Sequence, residues 1–462
     1  MAERKESRPK GPIEHGSVIT RAAVLVPAFK QFQSRDEASQ GGSELVRRSD
    51  DARLEEAMGL AAAIGLDIVA SGIVSGVRPR PATLIGAGKV DELKGLVASE
   101  EIGLVVFDHP LTPVQQRNLE KELDAKVLDR TGLILEIFGQ RARTKEGRLQ
   151  VELAHLNYQR GRLVRSWTHL ERQRGGAGFL GGPGETQIES DRRQLQERIK
   201  RLEKDLESVR RTRQLHRTKR KKAPHPVVAL VGYTNAGKST LFNRLTGADV
   251  FAQDLLFATL DPTLRRATLP HGTDVIFSDT VGFVSDLPTH LVAAFRATLE
   301  EVIEAEIVLH VRDMADPDSL AQAEDVGKIL RDLDIDADDR DHVVEVWNKI
   351  DLLEESVRHH LTTVRQGQQA PQAAHLVSAI TGEGVPELLA DIEQRIAGRL
   401  REVRIEIAPD GMGVLPWIYK NSSVIGRDDR DNGSVALSVE ITVQAQTELR
   451  RLSEQLSGIE LK

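Results

Sequence analysis

The first 140 residues alternate apolar runs with segments of helical periodicity. Four apolar runs, each predicted to be a β-strand, lie at 22–26, 66–74, 104–108 and 126–128. Three segments of helical pattern, each predicted to be a helix, lie at 54–64, 90–99 and 113–123. Because strands that alternate with helices are typical of parallel sheets, we predict a small N-terminal α/β domain over 1–140 with a mainly parallel sheet.

The segment 141–223 follows a different period. Apolar side chains recur there at the a and d positions of a heptad, with Arg160 in the first series and Arg192 and Arg213 in the second as polar members. The apolar members are Leu149, Leu153, Leu156, Leu163, Trp167 and Leu170, and then Ile188, Leu195, Ile199, Leu202, Leu206 and Val209. Two heptad runs with a short connection predict an antiparallel helical hairpin.

The connection between the two runs, 175–184, contains six glycines and one proline, with Phe179 and Leu180 in its middle. A helical hairpin needs only a few residues to turn, and a simple turn has no use for two large apolar side chains. We therefore predict a functional tip loop rather than a passive connection.

The rest of the chain divides in two. The basic run 217–222 is followed by Pro224 and Pro226, which predicts a domain boundary, and the strand–helix alternation resumes over 224–400. We predict a larger α/β domain there. A small α+β domain is predicted over 401–462, with strands at 403–407 and 435–443, a helix at 447–456 and an exposed apolar stretch at 417–419.

Composition removes several classes of protein. Hydrophobic residues make up 40% and charged residues 29% of the 462, a balance typical of globular domains. Cysteine is absent, which excludes disulfide scaffolds, cysteine nucleophiles and thiolate metal sites. With no apolar run in the first residues and no apolar stretch near the ~20 residues of a membrane span, we predict a cytoplasmic protein. A peripheral association with the membrane stays open.

The net charge of −7 hides a strong asymmetry. Residues 141–222 contain 23 Lys and Arg against 10 Asp and Glu, a balance of +13 that leaves −20 for the rest of the chain. A contiguous basic module predicts a polyanionic partner, and a merely solvated basic face is the alternative.

A phosphate-binding motif follows the apolar strand at 227–231. The sequence from Gly232 to Ser239, Gly-Tyr-Thr-Asn-Ala-Gly-Lys-Ser, fits GxxxxGK[ST] and opens a helical pattern at 240–245. Backbone N–H groups and the helix N-terminus would bind phosphate oxygens, and Lys238 would reach the β- and γ-phosphates. The Ser239 hydroxyl is expected to coordinate Mg²⁺.

A second motif indicates which base is bound. Asn348-Lys-Ile-Asp351 follows a strand predicted at 343–346, and the Asp351 carboxylate can accept two hydrogen bonds from guanine. Adenine lacks that pair of donors, so a buried carboxylate would be left unpaired. Asn348 and Lys349 are expected to support the base pocket. A further strand at 374–377 would place Ser378 and Ala379 beside the guanine carbonyl.

Two segments between these motifs are candidates for sensing the γ-phosphate. Asp279 follows a strand at 275–278 and is placed to hold Mg²⁺ through a water, and the Gly282 amide to contact the γ-phosphate. Thr259, in the segment 257–261, is the candidate switch threonine that completes the Mg²⁺ shell, with Thr263 as its competitor. The residue after Gly282 is Phe283, which cannot orient water as a glutamine can, so slow intrinsic turnover is expected.

Together these residues resemble the HflX family of P-loop GTPases. Besides the nucleotide motifs, the resemblance lies in Gln-Val-Glu-Leu-Ala at 150–154 and Gly-Gly-Pro-Gly-Glu-Thr-Gln-Ile-Glu-Ser-Asp-Arg-Arg at 181–193. It covers nearly the whole chain. It implies an N-terminal domain with a helical hairpin, a GTPase domain and a small C-terminal domain.

The resemblance also implies a set of ligand contacts. By matching position, the GTP-binding residues would be Gly232, Tyr233, Thr234, Asn235, Ala236, Gly237, Lys238, Ser239, Phe257, Ala258, Thr259, Leu260, Asp261, Asp279, Thr280, Val281, Gly282, Asn348, Lys349, Ile350, Asp351, Ser378, Ala379 and Ile380. Ser239 and Thr259 would be the Mg²⁺ ligands, with Asp279 acting through a water.

For function, the resemblance implies binding to the large (50S) ribosomal subunit and its rRNA, with the tip loop directed at the peptidyl-transferase region, and splitting or rescue of stalled ribosomes under stress. It also implies ATP binding by the N-terminal domain, where only 86–89 (Gly-Ala-Gly-Lys) offers a site and a glycine-rich helix start is the favoured interpretation. Two alternatives stay open: a nucleotide-gated RNA chaperone or unwinding module, and an interaction protein that regulates a protease.

Overall fold

The structure is a computed structural model. It describes residues 20–29, 48–173, 183–220, 225–248, 257, 262–285, 299–367, 373–398, 401–430, 432–455 and 458–461. The predicted tip loop up to residue 182, the predicted switch residues 258–261 and the basic residues Lys221 and Lys222 lie outside this range.

The chain divides into two compact units. Among the described residues, the first contains 20–29 and 53–133, and the second contains 48–52 and everything from 134 onward. This division into two units does not separate the four segments that the sequence predicts. The domain boundaries at 140, 223 and 400 therefore stay predictions.

The first unit is built on a parallel four-stranded sheet of order β2-β1-β3-β4. Its strands are β1 (Arg21–Phe29), β2 (Asp67–Val77), β3 (Leu104–Phe107) and β4 (Lys126–Asp129). Its helices are α1 (Asp50–Ala63), of which residues 53–63 belong to this unit, α2 (Ala87–Ser99) and α3 (Pro113–Leu123). All seven predicted elements are confirmed. Helix α3 begins where the sequence indicates because Thr112 and Gln115 form a reciprocal capping box ahead of Pro113.

The helix α4 (Arg130–Arg141) was not predicted. It begins directly after β4, where Arg130 forms buried ion pairs with Glu56 and Asp108. A buried arginine is tolerated only when its charge is matched, and these two carboxylates match it. No signal in the sequence indicated these ion pairs, because Glu56 and Asp108 lie 74 and 22 residues before Arg130.

The basic module is a helical hairpin, as predicted. Helices α5 (Lys145–Gln173) and α6 (Pro183–Arg220) pack through a small seam. Its buried members are Leu156, Ile199 and Leu202, flanked by Leu149, Leu153 and Leu195. The side chains of Leu163, Trp167, Leu170, Ile188 and Arg213 lie outside the described residues. Arg192 is exposed, so its predicted place in the seam is wrong; the guanidinium stays in water, where its charge is solvated.

The second α/β module contains a six-stranded sheet of order β10-β9-β8-β5-β7-β6. Every pairing is parallel except that of β6 with β7. Its strands are β5 (Val227–Gly232), β6 (Thr263–Thr268), β7 (Asp274–Asp279), β8 (Ile307–Asp313), β9 (Val343–Asn348) and β10 (His375–Leu376), and its helices are α7 (Lys238–Thr246), α8 (Glu300–Ile303), α9 (Ser319–Asp332), α10 (Glu355–Gln366) and α11 (Val385–Ala397).

The position of β5 determines where a ligand can bind. This strand lies in the middle of the sheet, between β8 and β7, and 228–231 are fully buried. In such sheets ligands bind beyond the carboxyl ends of the strands. The predicted phosphate, metal and base motifs follow β5, β7 and β9, so the topology brings all of them to one edge.

The C-terminal sheet is antiparallel, with order β12-β13-β11-β14. It contains β11 (Arg401–Ile407), β12 (Ser423–Asp429), β13 (Val435–Ile441) and β14 (Ile459–Leu461), with helices α12 (Leu415–Asn421) and α13 (Val443–Gln455) and a 3₁₀ turn at Pro409–Val414. The two predicted strands and the final helix are present, whereas β12, β14 and α12 were not predicted.

The predicted exposed apolar stretch at 417–419 is wrong in part. Helix α12 buries Ile418 completely against the sheet and leaves Tyr419 half-exposed, because successive helical residues point in directions about 100° apart.

In the described part of the chain, no helix combines the length and apolar character that crossing a bilayer requires.

Candidate nucleotide-binding site

The phosphate-binding loop joins β5 to α7, and two of its glycines are required by close contacts. Gly232 has φ +153°, and a Cβ atom there would lie 2.2 Å from the carbonyl oxygen of Val311. Gly237 has φ +89°, and its Cβ would lie 2.3 Å from Nδ2 of Asn348. Both positions therefore need a residue without a side chain.

Lys238 lies inside this loop and is almost completely buried. Its Nζ donates a hydrogen bond to the carbonyl oxygen of Tyr233 at 2.7 Å. Burial lowers the pKa of Lys238 to about 8, against the opposing effect of the Asp279 carboxylate. A buried ammonium is poorly solvated, so a phosphate placed beside it would stabilise its charge strongly.

Ser239 and Asp279 present adjacent oxygen atoms at the start of α7. The Ser239 hydroxyl donates to Oδ2 of Asp279 at 2.7 Å, and Asp279 is completely buried at the end of β7. Hydroxyl and carboxylate oxygens are the hard ligands that Mg²⁺ prefers, so this pair fits the metal. The described residues contain no cluster of three or more His, Asp or Glu side chains suited to a metal.

The predicted switch threonine, Thr259, lies outside the described residues together with Ala258, Leu260 and Asp261. Phe257, which precedes them, is described. It has φ +58°, and its ring packs edge-on against Phe138 of α4 with the centroids 4.7 Å apart. Thr263, the competitor, begins β6 opposite Asp279 of β7.

The segment after β7 is bound to the phosphate loop. The amide of Thr234 donates to the carbonyl oxygen of Phe283 at 2.7 Å, and the Phe283 amide donates to that of Gly232 at 3.0 Å. The Phe283 side chain is buried, so the residue after Gly282 offers no polar group to the site. A Cβ on Gly282 would lie 2.9 Å from Cγ2 of Thr234 and 3.1 Å from Nζ of Lys238, so this glycine is confined to the phosphate end. Thr280 and Val281, between Asp279 and Gly282, are both buried.

Asn348 connects the phosphate loop to the end of β10. Its Nδ2 donates to the carbonyl oxygen of Ala236 at 2.9 Å, and its Oδ1 accepts from the amide of Ala379 at 3.1 Å. Each end of the buried amide is therefore satisfied by a different loop. The sequence predicted Asn348 at the base pocket; the structure gives it the role of a brace between two segments.

Asp351 stands open to solvent on the 3₁₀ turn Ile350–Leu352, whereas Ile350 is buried beneath it. Lys349 has φ +64°, and its Nζ pairs with Asp313 at 2.6 Å. The carboxylate of Asp351 is therefore exposed in this structure, whereas the sequence argument for guanine treats it as buried.

The loop after β10 is held by a residue that the motifs did not identify. Arg244 of α7 donates through Nε to the carbonyl oxygen of Ala379 at 3.1 Å, and its guanidinium also bonds that of Ile380. Ser378 is completely buried and Ile380 is exposed. Arg244 lies outside every nucleotide motif, so its sequence position gave no signal.

The segment 86–89 has the features of an ordinary helix start. Gly86 is the residue before α2 and has an extended backbone with φ −69°. Lys89 pairs with Glu92 of the same helix at 2.7 Å. These features match the helix-start interpretation of this segment.

Four family models match the chain, each by its own description. They are "GTP-binding GTPase N-terminal" at 51–139, "GTP-binding GTPase Middle Region" at 141–220, "50S ribosome-binding GTPase" at 227–349 and "HflX C-terminal domain" at 363–458. The first two cover β2, β3 and β4 of the first parallel sheet and the hairpin, and the third covers the phosphate loop through Lys349.

Relatives match over most of their length. The GTPase HflX of Magnetococcus marinus is 49% identical over 88% of this chain and 90% of its own. That of Escherichia coli (strain K12) is 42% identical over 92% of this chain and 98% of its own. A crystal structure of a GTP-binding protein from Sulfolobus solfataricus in complex with GDP is 23% identical, with a TM-score of 0.43 over 82% of this chain and 98% of that one.

The nucleotide motifs gathered at one sheet edge, the family models along the chain and the identity shared with whole relatives agree. The chain belongs to the HflX family of GTPases and hydrolyses GTP.

Proposed function

We propose that this GTPase binds the large (50S) ribosomal subunit and splits or rescues stalled ribosomes under stress. The observation that carries the proposal is the exposed basic surface of α6. Its exposed cations outnumber the exposed carboxylates among the described residues of the helix. The cations are Arg192, Arg193, Arg198, Lys200, Arg201, Lys204 and Arg211, and the carboxylates are Glu197, Glu203, Asp205 and Glu207. A surface of this charge binds the phosphates of rRNA. The match of 227–349 to a "50S ribosome-binding GTPase" model supports the same partner.

At the nucleotide, we assign Ser239 and Thr259 to Mg²⁺, with Asp279 acting through a water. The metal, when bound, supplies positive charge against the β- and γ-phosphates. Lys238 stabilises the same phosphates from the protein side, and the Gly282 amide contacts the γ-phosphate. Asp351 selects guanine, and the backbone at 378–380 contacts the guanine carbonyl.

Hydrolysis should be slow in the isolated protein. Phe283 stands where a water-orienting glutamine would stand, and its backbone is bound to the phosphate loop and its ring buried. The attacking water therefore lacks that side chain. Binding to the ribosome would raise the rate by ordering another group beside the γ-phosphate.

Turnover measured with 50S subunits, 70S ribosomes and free rRNA tests the proposal. We expect strong stimulation by intact particles and little by free rRNA. The reverse order would favour a nucleotide-gated RNA chaperone, and stimulation by none of the three would favour an interaction protein such as a protease regulator. A ribosomal partner would place the protein in the cytoplasm. ATP binding at 86–89 is not part of the proposal, because Lys89 there pairs with Glu92 on a helix start.

A further inference from the structure

The hydroxyl of Tyr233, in the phosphate loop, accepts two hydrogen bonds. One comes from the backbone amide of Ser285 at 2.7 Å, and the other from Nη1 of Arg48 at 2.7 Å. The Arg48 guanidinium also lies 5.2 Å from the centre of the Tyr233 ring, as a cation–π contact requires. A residue that precedes α1 in the chain therefore contacts the phosphate loop and the segment that follows Gly282.

Arg48 is held in place by further contacts. Its Nε lies 3.5 Å from Oδ2 of Asp318, the residue before α9, and its Nη1 lies 3.5 Å from Oγ of Ser285. Only 10% of the Arg48 side chain and 15% of that of Asp318 are exposed. A charge with so little access to water keeps its position only when its partners are fixed, so the planar guanidinium acts as a rigid connector.

The contact stands three residues from the γ-phosphate sensor. The other side of Gly282 is fixed by the backbone bonds that join Phe283 to Gly232 and Thr234. Ser285 is fixed by Tyr233, and the Tyr233 carbonyl oxygen accepts from Nζ of Lys238 at 2.7 Å. Tyr233 thus joins the phosphate-binding lysine to the path of the chain after Gly282.

We propose that Arg48 is a positioning residue for GTP hydrolysis: through the Tyr233 hydroxyl it holds Ser285, and with it the Gly282 amide, in the arrangement that contacts the γ-phosphate. The effect concerns GTP and not GDP, because only GTP has a phosphate for Gly282 to contact. The proposal rests on the proposed contact between the Gly282 amide and the γ-phosphate, and it does not depend on the ribosomal partner.

The test compares Arg48→Ala, Tyr233→Phe and the double variant in the full chain. We expect each single variant to lower the single-turnover hydrolysis rate about 10-fold, the effect of one charge-assisted hydrogen bond, with GDP affinity within about twofold of the wild type. The double variant should be no slower than the slower single one, because both changes break one connection. Arg53→Ala, which removes a partly exposed arginine that pairs with Asp108 in the first unit, should hydrolyse at the wild-type rate.

Three results would overturn the proposal. The rate of both single variants could equal that of the wild type, the two losses could multiply in the double variant, or GDP affinity could fall together with the rate, as a merely structural role predicts. If Arg48→Ala does not fold, the hydrolysis rate of Arg48→Lys tests the proposal instead. Lysine keeps a charge for Asp318 but cannot reach the phenol and the carboxylate with one planar group, so its rate should lie between those of the wild type and Tyr233→Phe.

Discussion

The nucleotide-binding loops and the helical hairpin are stabilised in opposite ways. In the loops, buried polar side chains such as Asn348 and Asp279 find partners more than 30 residues away in the chain. In the hairpin, three buried apolar side chains form the centre of the described seam, and most of the described side chains of α6 face water. The loops should therefore respond to single substitutions, and the hairpin to changes in its total charge.

The largest effect is expected from a substitution in the phosphate-binding loop. Lys238→Ala removes the buried cation from the phosphates, so tight GTP binding should be lost, with Kd raised at least ~100-fold. Equilibrium titration with a fluorescent GTP analogue measures it. Lys200→Ala, a matched change on the hairpin, should leave Kd as it is, and near-wild-type affinity of Lys238→Ala would refute the phosphate assignment.

Shortening 175–184 to a minimal turn separates the hairpin's function from its binding. We expect GTP affinity and most ribosome affinity to persist, because phosphate contacts are assigned to the basic helices, while ribosome splitting is lost. A glycine-rich tip can approach crowded RNA closely, and Phe179 and Leu180 can stack or wedge there. Light scattering or sedimentation of 70S ribosomes follows splitting. A shortened protein that splits at the wild-type rate would show the loop to be a passive turn.

Asp351→Asn should change which base is bound rather than whether a nucleotide binds. An amide can donate a hydrogen bond where the carboxylate only accepts. GTP affinity should therefore fall ~10- to 100-fold, while affinity for xanthosine triphosphate should rise. Competition between the two nucleotides measures the switch. An unchanged guanine preference would mean that the base is read elsewhere.

A smaller, cumulative effect is expected on the hairpin. Replacing Arg217, Lys219, Arg220, Lys221 and Lys222 by Gln should flatten the dependence of RNA affinity on salt, because each phosphate contact adds roughly 0.7 to 0.9 to the log–log slope. Filter binding over a range of salt concentrations gives the slope. A slope that the five substitutions do not change would mean that this run is only a solvated face.

The smallest effect concerns protons. The pKa of Lys238 is about 8 without nucleotide, and phosphate raises it, so GTP binding should take up a fraction of a proton near pH 8. Affinity should then fall as pH rises through 8, where the free lysine becomes neutral. Calorimetry in buffers of different ionisation enthalpy measures the uptake, and Lys238→Arg, which stays charged, should abolish it. Heats independent of buffer would contradict the assignment.

Local pattern was sufficient where neighbours in sequence are also neighbours in space. The periodicity of the first sheet and the heptads of α5 and α6 each reflect one repeating face. The glycines of the phosphate loop were recognised by their spacing, although the contacts that require Gly232 and Gly237 are with the distant Val311 and Asn348.

Two of the misses involve distant partners: α4 begins at a buried Arg130 that pairs with Glu56 and Asp108, 74 and 22 residues earlier, and β14 pairs with the distant β11. The edge strand β12 pairs with the neighbouring β13, so distance does not explain why its pattern was missed.

By itself, the sequence determined the family, the α/β architecture, the phosphate and base motifs and the charge of the hairpin, because each depends on residue type and short-range spacing. Only the tertiary structure decided that Asn348 braces two loops, that Arg244 supports the loop after β10, and that Arg48 reaches Tyr233. These contacts join residues from 31 to 185 positions apart. Residues so far apart in the chain are brought together only by the folded structure, so no local pattern encodes these contacts.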